Sequence, residues 1–242
     1  MARSLSILVP YRARFEHLSI FVRHLHRFLS SYVHEVVVCE QAGDGLFNRG
    51  MLLNAGFVVA RNDADWVCFH DVDMLPDSIR CDYSCPIAFA HLARCVEQFD
   101  YTCPYRNYIG GVLLATVGAF HAVNGFSNNY WGYGCEDDDL FCRIKASYLP
   151  LERRQGRYRS LPHPKGHAKS ENIVLWNRMQ RGAVEWKKDG LNSAHFAILC
   201  DAPLRSVVCD AGARDRHLLI SLANRANVST SVANLGEPVL GL

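Results

Sequence analysis

Several features that would place this chain in a specialised class are absent from its sequence. It contains no run of eighteen apolar residues, and residues 1–4 lead directly into the strand-like residues 5–9, so we expect neither a membrane anchor nor a signal peptide. The formal net charge is only +2, which gives no indication of nucleic-acid binding. No internal repeat and no linker divides the 242 residues, and we therefore expect one domain.

The sequence also lacks the cysteine spacing of a disulfide framework or a zinc site. Its ten cysteines include no C-x-x-C pair, and several lie in segments that we expect to be buried, among them Cys39, Cys68 and Cys142. Most cysteines are therefore expected to be small, reduced core residues. Cys200 and Cys209 are close enough in sequence to bridge a tight C-terminal loop, and the sequence leaves open whether they do.

Strand-like and helix-like segments alternate from the N-terminus onward. Residues 5–9, 35–39 and 66–69 are apolar or β-branched and predict strands. Between them, residues 18–29 have the apolar spacing of an amphipathic helix, and residues 51–60 have the apolar content of a buried helix. This order predicts an α/β domain with a largely parallel sheet.

The rest of the chain gives weaker signals. Residues 77–107 are irregular and favour at most one short helix near residues 87–98. Further along, the patterns predict a strand at 108–115, a helix from 136 to 148, a core strand at 195–199, a strand at 206–208 and a helix at 217–224.

Two carboxylates, Asp71 and Asp73, follow the apolar strand at residues 66–69. Alternation along an extended chain places both on one face where the strand ends. Like charges this close repel each other unless a positive group lies beside them, so the pair favours a divalent cation held together with the phosphates of a ligand. A solvated loop with two incidental Asp residues is the alternative, because short motifs often match by chance.

Two arginines, Arg12 and Arg14, follow Pro10 at the end of the first predicted strand. Ligands of open α/β sheets bind at the carboxyl ends of strands, so these side chains are candidates for the phosphates or the base of a nucleotide. A solvated turn is the alternative. Gly110 and Gly111 begin the strand predicted at 108–115 and indicate either a close approach to a ligand or a β-bulge.

An acidic run, Glu136 to Asp139, follows a loop at residues 124–135 that is rich in Gly, Asn and aromatic residues. The apolar spacing after the run predicts a helix, so the acids occupy its first turn. Acids at a helix N-terminus complement the dipole, but four in a row also repel one another. Because sugar rings stack on aromatic loops and perturbed carboxylates cluster at sites, the pattern favours a functional role.

Two histidines, His163 and His167, lie in a loop that contains Pro162 and Pro164. A histidine in such a restrained loop is a candidate metal ligand, although a plain surface position is more common. The four arginines before this loop, at positions 153, 154, 157 and 159, are expected to form a solvated face.

Six motifs occur in a fixed order along residues 4–198: PYRAR at 10–14, FNRG at 47–50 with LNAGF at 53–57, FHDVD at 69–73, YIGG at 108–111, NGFSNNYWGYG at 124–134 with EDD at 136–138, and DGLN at 189–192. This series resembles the β-1,4-galactosyltransferase family of metal-dependent inverting enzymes. The pattern is most similar to the branch that uses a xylose acceptor.

The resemblance implies a GT-A, Rossmann-like nucleotide-sugar-binding fold, in which a mixed, mostly parallel central sheet is flanked by helices. It implies manganese, with magnesium as a possible substitute, a UDP-galactose donor and a saccharide or glycoconjugate acceptor. Within one catalytic domain, residues 1–115 would bind the nucleotide sugar and residues 116–199 the acceptor. The role of residues 200–242 is left open.

The resemblance also implies roles for individual residues. It assigns the metal to Asp73 and His163. The family's segment around His163 usually supplies two ligands, and the second would be either His167 or water. The resemblance assigns the general base to Asp137, and the binding of hydroxyl groups to Glu136 and Asp138. The implied donor-binding residues are Pro10, Arg12, Arg14, Phe47, Arg49, Asp71, Val72, Tyr108, Gly111 and Tyr133.

The expected reaction is the transfer of galactose to an acceptor hydroxyl with a β-1,4 linkage. UDP-N-acetylgalactosamine or UDP-glucose as donor is an alternative, and a non-catalytic sugar-binding module and a metal phosphohydrolase are more remote ones. The chain departs from the family at Tyr133, where family members often have Trp. Animal members are held in the Golgi by a membrane anchor, which we do not expect in this chain. We therefore expect either a cytoplasmic microbial-type enzyme or a trimmed Golgi catalytic domain.

Overall fold

The computed structural model describes residues 4–61, 64–164, 167, 169–182 and 184–223. Its first five elements follow the predicted alternation: β1 (Leu5–Tyr11), α1 (Phe15–Phe28), β2 (His34–Gln41), α2 (Arg49–Ala60) and β3 (Trp66–His70). β1 lies between β2 and β3 and is parallel to both. This confirms the α/β opening of the chain.

Most later elements are shorter, and two of the strands lie in the segment at residues 77–107 that appears irregular in sequence. The strands are β4 (Met74–Pro76), β5 (Phe89–His91), β6 (Cys95–Val96), β7 (Val112–Thr116), β8 (Leu151–Arg153), β9 (Arg157–Ser160), β10 (Phe196–Pro203) and β11 (Arg216–Leu222). The helices are α3 (Val117–Ala122), α4 (Glu136–Ala146) and α5 (Ser170–Gln180).

Eight strands form one central sheet in the order β10-β11-β2-β1-β3-β7-β5-β8. The pairs β11–β2, β2–β1, β1–β3 and β5–β8 are parallel, whereas β10–β11, β3–β7 and β7–β5 are antiparallel. The sheet is therefore mixed and mostly parallel, as predicted. A second sheet of three short strands, β4-β9-β6, continues from the end of β3.

Apolar side chains cover both faces of the central sheet. On one face α1 buries Leu18, Phe21 and Leu25, which recur at helical spacing, and leaves its other side to solvent. On the other face α2 is buried almost all round, including Leu52 and Phe57. A helix with apolar residues on every side is stable only when protein surrounds it, so the sequence of α2 fits its enclosed position.

The C-terminal hairpin, β10 and β11, completes one side of the central sheet. The predicted helix at 217–224 is wrong, because residues 217–222 lie in β11; Asn224 lies outside the described residues. Leu218 and Ile220 are fully buried and alternate with partly exposed neighbours, which is the period of a strand. The strand predicted at 206–208 is also wrong, since Leu204–Ser206 form a single helical turn.

The segment before β7 differs from its prediction as well. The short helix expected near residues 87–98 is replaced by β5 and β6, followed by one helical turn at Glu97–Phe99. These strands are too short to show a periodic pattern, and pairing with β7, β8 and β9 stabilises them.

Contacts with α1 and β2 hold the loop that precedes β11. The Asp215 carboxylate lies 2.6 Å from His26 Nε2 and accepts a hydrogen bond of 2.9 Å from the Val36 amide. These bonds lower the pKa of Asp215 despite its burial, which acts in the opposite direction. The last hairpin is thereby tied to the body of the domain.

All ten cysteines are free, so Cys200 and Cys209 form no bridge, and both are exposed. Cys39 and Cys68 are fully buried as predicted, whereas Cys142 is half-buried. Burial raises the pKa of the Cys39 thiol to about 12, which keeps it protonated and unreactive. Among the helices in the described part of the chain, none is both long and apolar enough to cross a membrane.

Candidate active site

One guanidinium joins three carboxylates at the carboxyl end of β3. Arg49, the first residue of α2, donates 2.8 Å hydrogen bonds from Nε to Asp71 and from Nη1 to Asp137. Its Nη1 also lies 3.7 Å from a Glu136 oxygen. Asp71 follows β3, whereas Glu136 and Asp137 begin α4, so the tertiary fold brings together acids that are far apart in sequence.

Burial dominates the electrostatics of the acids at the start of α4. It raises the pKa values of Glu136 and Asp137, and the positive charge of Arg49 opposes the shift in both. Burial also raises the pKa of Asp138, while a 2.9 Å hydrogen bond from the Tyr105 hydroxyl favours its ionised form. Glu136 and Asp137 therefore share Arg49, which lies closer to Asp137, whereas Asp138 is bonded to Tyr105.

The fourth acid of the run, Asp139, has a structural role that was not predicted from the sequence. Asp139 is buried and accepts hydrogen bonds of 2.5 Å from Arg143 and 3.0 Å from Tyr130. Arg143 is fully buried and also donates to the Asp189 carbonyl oxygen at 2.6 Å. The spacing of Asp139 and Arg143, four residues apart on one helix, was the sequence signal for this pair.

Asp73 lies between two positively charged or ionisable side chains. Its Oδ2 is 2.9 Å from His163 Nδ1 and 3.7 Å from Arg14 Nη1. Burial raises its pKa, and the Asp71 charge raises it further, whereas His163 and Arg14 oppose both effects. A carboxylate oxygen and an imidazole nitrogen at this separation are a donor pair that suits a first-row divalent cation.

The two histidines of the predicted metal site lie in different surroundings. His163 follows β9, and the Leu161 amide donates to the Asp73 carbonyl oxygen at 2.8 Å, which places the histidine beside Asp73. His167 is exposed. The described residues contain no group of three or more His, Cys, Asp or Glu side chains that could hold a metal ion. The structure thus brings His163, but not His167, to Asp73.

The YIGG segment lies against the catalytic acids. A Cβ atom at Gly110 would lie 2.8 Å from Asp137 Oδ2 and 3.0 Å from the Tyr108 hydroxyl, so only glycine allows this approach. Gly111 has a φ of +83°, and its carbonyl oxygen accepts a 2.9 Å hydrogen bond from the Asp71 amide. Glycine at position 110 therefore permits the close approach of the Asp137 carboxylate, and the expected close approach of a ligand to the pair stays a prediction.

His91 and Arg153 contact the backbone carbonyl groups of this segment and hold it in position. His91 Nε2 lies 3.0 Å from the Gly110 carbonyl oxygen, and its Nδ1 lies 3.0 Å from Arg153, which also donates to the Tyr108 carbonyl oxygen. Burial lowers the pKa of His91 to about 3, so it is neutral, donates from Nε2 and accepts at Nδ1. Arg153 is therefore not part of a solvated face, contrary to the expectation for it.

The remaining residues of the predicted donor site come from the ends of β1 and β3 and from the loops before α2 and α4. Pro10 and Val72 are buried. The Arg12 guanidinium lies 5.3 Å from the centre of the Phe47 ring and donates a 2.6 Å hydrogen bond to the Gly45 carbonyl oxygen. Tyr133 is 61% exposed, which leaves its ring accessible at the rim.

A buried polar network that was not predicted from the sequence supports the aromatic loop. Asn54 donates to the Phe126 carbonyl oxygen at 2.8 Å and to Asn128 Oδ1 at 2.9 Å, and the Asn128 amide donates to Asp189 at 3.0 Å. Ser127 also donates to Asp189 at 2.5 Å. Fully satisfied networks of this kind rigidify a loop, and the polar Asn54 within an otherwise apolar helix was the signal for it.

Two family models match the sequence. The N-terminal region of glycosyl transferase group 7 matches residues 1–86, and the N-terminal domain of galactosyltransferase matches residues 90–166. The fold and these matches place the chain among the group 7 glycosyl transferases.

Matches to individual proteins identify the family within this class. The chain is 37% identical to human β-1,4-galactosyltransferase 3 over 202 residues, and 38% identical to human β-1,4-galactosyltransferase 5 over 200 residues. These matches cover 80% and 79% of this chain, and the chain spans about half (51%) of the length of each relative. The protein belongs to the β-1,4-galactosyltransferase family, and the resemblance found in its sequence is confirmed.

Two solved structures have the same fold. The catalytic domain of Drosophila β-1,4-galactosyltransferase 7 in complex with xylobiose superposes with a TM-score of 0.77 at 30% identity. A mutant of that enzyme in complex with manganese, UDP-Gal and xylobiose gives 0.76 at 29% identity. Each match covers 93% of this chain and 97% of the other. The predicted GT-A, Rossmann-like fold is therefore confirmed.

Proposed function

We propose that this protein transfers galactose from UDP-galactose to a hydroxyl of a saccharide acceptor, with inversion and a β-1,4 linkage. The observation that carries the proposal is the convergence of Arg49, Asp71 and Asp137 beside Asp73 and His163. Family membership and the UDP-Gal complex of the Drosophila relative support it.

Asp137 is the proposed general base. In an inverting transfer the acceptor oxygen forms a bond to the anomeric carbon, the bond from that carbon to the diphosphate breaks, and the hydroxyl proton passes to a base. Asp137 Oδ1 is occupied by Arg49 at 2.8 Å, whereas Oδ2 lies beside the Gly110 backbone. Burial raises the pKa of Asp137 and the Arg49 charge opposes that rise, so Arg49 favours the ionised form that takes the proton at Oδ2.

Arg12 and Arg14 are proposed to hold the diphosphate of the donor, together with a divalent cation. Asp73 and His163 are the residues that would hold manganese, since their nearest atoms are 2.9 Å apart and their chemistry fits that ion. When bound, the cation would offset the negative charge that develops on the departing diphosphate. Arg14, 3.7 Å from Asp73, is placed to add to that effect.

Tyr108 is proposed to favour galactose over its N-acetylated counterpart. Burial raises the pKa of its phenol, and nearby Asp137 raises it further, so the side chain stays neutral and can fill space beside the second carbon of the sugar. Hydrogen bonds from Arg153 to the Tyr108 carbonyl oxygen and from His91 to the Gly110 carbonyl oxygen fix the backbone of this segment, and the His91 ring packs edge-on against the Tyr108 ring.

The decisive experiment measures UDP release from UDP-galactose with xylobiose, with a panel of other acceptor sugars and with no acceptor. We expect acceptor-dependent release that is lost when a chelator removes divalent metal. Equal release without an acceptor would indicate a hydrolase, and no release with any sugar would indicate a binding module. Parallel reactions with UDP-N-acetylgalactosamine and UDP-glucose test the two alternative donors.

A further inference from the structure

A second cavity, of about 470 Å³, lies at the start of β9 and shares none of the predicted donor, metal or catalytic residues. Four arginines line it, Arg80, Arg94, Arg154 and Arg157, and none of its lining residues is acidic. A volume in this range accommodates a disaccharide-sized or nucleotide-sized ligand. The cavity is therefore large enough to be a binding site, and its charge is of one sign.

Three of these arginines have no carboxylate close enough to neutralise them. Arg154 pairs with Glu152 at 2.8 Å and with Asp82 at 3.4 Å, so its charge is compensated within the fold. In the part of the chain that the structure describes, no carboxylate oxygen lies within 4.0 Å of Arg80, Arg94 or Arg157. Asp77 attracts the Arg157 guanidinium from beyond that distance, so the positive charge of Arg157 is only partly compensated. Positive charges around one cavity repel one another, and an anion between them would reduce that repulsion.

The side chains that surround Arg157 orient it for such an anion. Its guanidinium lies 4.2 Å from the centre of the Tyr101 ring, a cation–π contact that restricts the positions of the side chain. Asp77, the acid that directly follows β4, forms its ion pair with Arg159 at 3.4 Å. Arginine forks match the oxygen geometry of phosphate and sulfate groups.

We propose that this cavity is a second anion-binding site, which takes a ligand that carries sulfate or phosphate ester groups through Arg80, Arg94 and Arg157. β9 connects the cavity to the candidate metal site: Arg157 begins the strand, and Ser160, roughly 10 Å further along it, leads to His163. An acceptor that carries such groups would be able to contact both places. The binding itself does not depend on the proposed transfer reaction.

The test is a calorimetric titration of the full chain with a heparin-derived sulfated disaccharide, its desulfated form, and inorganic pyrophosphate. Saturating UDP and manganese are present throughout, so that anions do not occupy the candidate donor site. We expect the sulfated disaccharide or pyrophosphate to bind, the desulfated form not to bind, and added salt to weaken binding. The anion that binds with the higher affinity identifies the kind of ligand that the cavity takes, a saccharide sulfate or a free phosphate.

The double variant Arg80→Gln, Arg94→Gln should weaken anion binding by at least about tenfold, because it removes two charge-assisted contacts. Arg27→Gln is the matched control, since Arg27 is also an exposed arginine and lies on α1, outside the cavity. UDP binding and the thermal midpoint of the double variant should equal those of the wild type. Equal anion affinity in the double variant and the wild type, or equal binding of the sulfated and desulfated sugars, would overturn the proposal.

Discussion

The substitution Asp137→Asn tests the proposed base directly. Asparagine has the same size and keeps one side-chain oxygen, which can still accept the Arg49 hydrogen bond that is 2.8 Å long in the native chain. The other oxygen, beside Gly110, is replaced by an NH₂ group that cannot take a proton. We therefore expect turnover to fall by about a hundredfold to ten-thousandfold, the usual effect of losing a general base.

Donor binding should survive this change. Arg49 keeps its 2.8 Å hydrogen bond to Asp71, and the Asp73–His163 pair is untouched. Steady-state kinetics should therefore show a loss in kcat, while calorimetry with UDP and manganese shows an affinity close to that of the wild type. A variant that kept more than about a tenth of wild-type turnover would refute the assignment, and Glu136 would be the next candidate.

The matched control is Asp138→Asn, one residue further along the same helical turn. Successive helical residues point about 100° apart, so Asp138 cannot reach the hydroxyl that Asp137 reaches. Its oxygen accepts from Tyr105 at 2.9 Å, and we expect its loss to raise KM more than it lowers kcat. In the wild type, kcat/KM should fall as pH drops through the pKa of Asp137, which burial raises and Arg49 lowers, because the base must be ionised.

Three further outcomes are expected. Asp73→Ala should abolish metal-dependent UDP binding in calorimetry, because it removes a charged oxygen ligand, while His167→Ala should leave it unchanged; equal losses in both would contradict the proposed site. Tyr108→Leu should raise kcat/KM for UDP-N-acetylgalactosamine relative to UDP-galactose, and a wild type that uses both donors equally would refute the argument. Arg143→Met should lower the free energy of unfolding by about 3–5 kcal/mol in urea titrations, since it leaves the buried Asp139 unpaired; a loss below about 1 kcal/mol would contradict that role.

The first 75 residues were predictable because local pattern and tertiary structure agree there. The parallel strands β1, β2 and β3 are buried on both faces and are therefore continuous apolar runs in the sequence. Of the two connecting helices, α1 is long enough to show an amphipathic period, and α2 is recognisable from its high apolar content. Since ligands meet such sheets at the strand ends, Arg12, Arg14 and Asp71 could be grouped before the structure was known.

The later part was less predictable because its elements depend on partners far away in sequence. β5 and β8 are three residues long, and each is stabilised mainly by its neighbours. Arg49 and Asp137 are separated by 88 residues, so local pattern carries no information about their contact. The hydrogen bond from Arg153 to the Tyr108 carbonyl oxygen was unpredictable for the same reason. Arg153 belongs to a run of arginines whose composition is typical of a solvated surface.

The position of β11 determines how the chain would behave if it were shortened. β11 pairs in parallel with β2, from Arg216 opposite Val37 to Ile220 opposite Gln41. A chain ending at residue 199 would leave this side of β2 unpaired, next to the fully buried Val37. Exposed, apolar strand edges template pairing between chains, so such a fragment would aggregate even though every residue of the candidate active site is present in it.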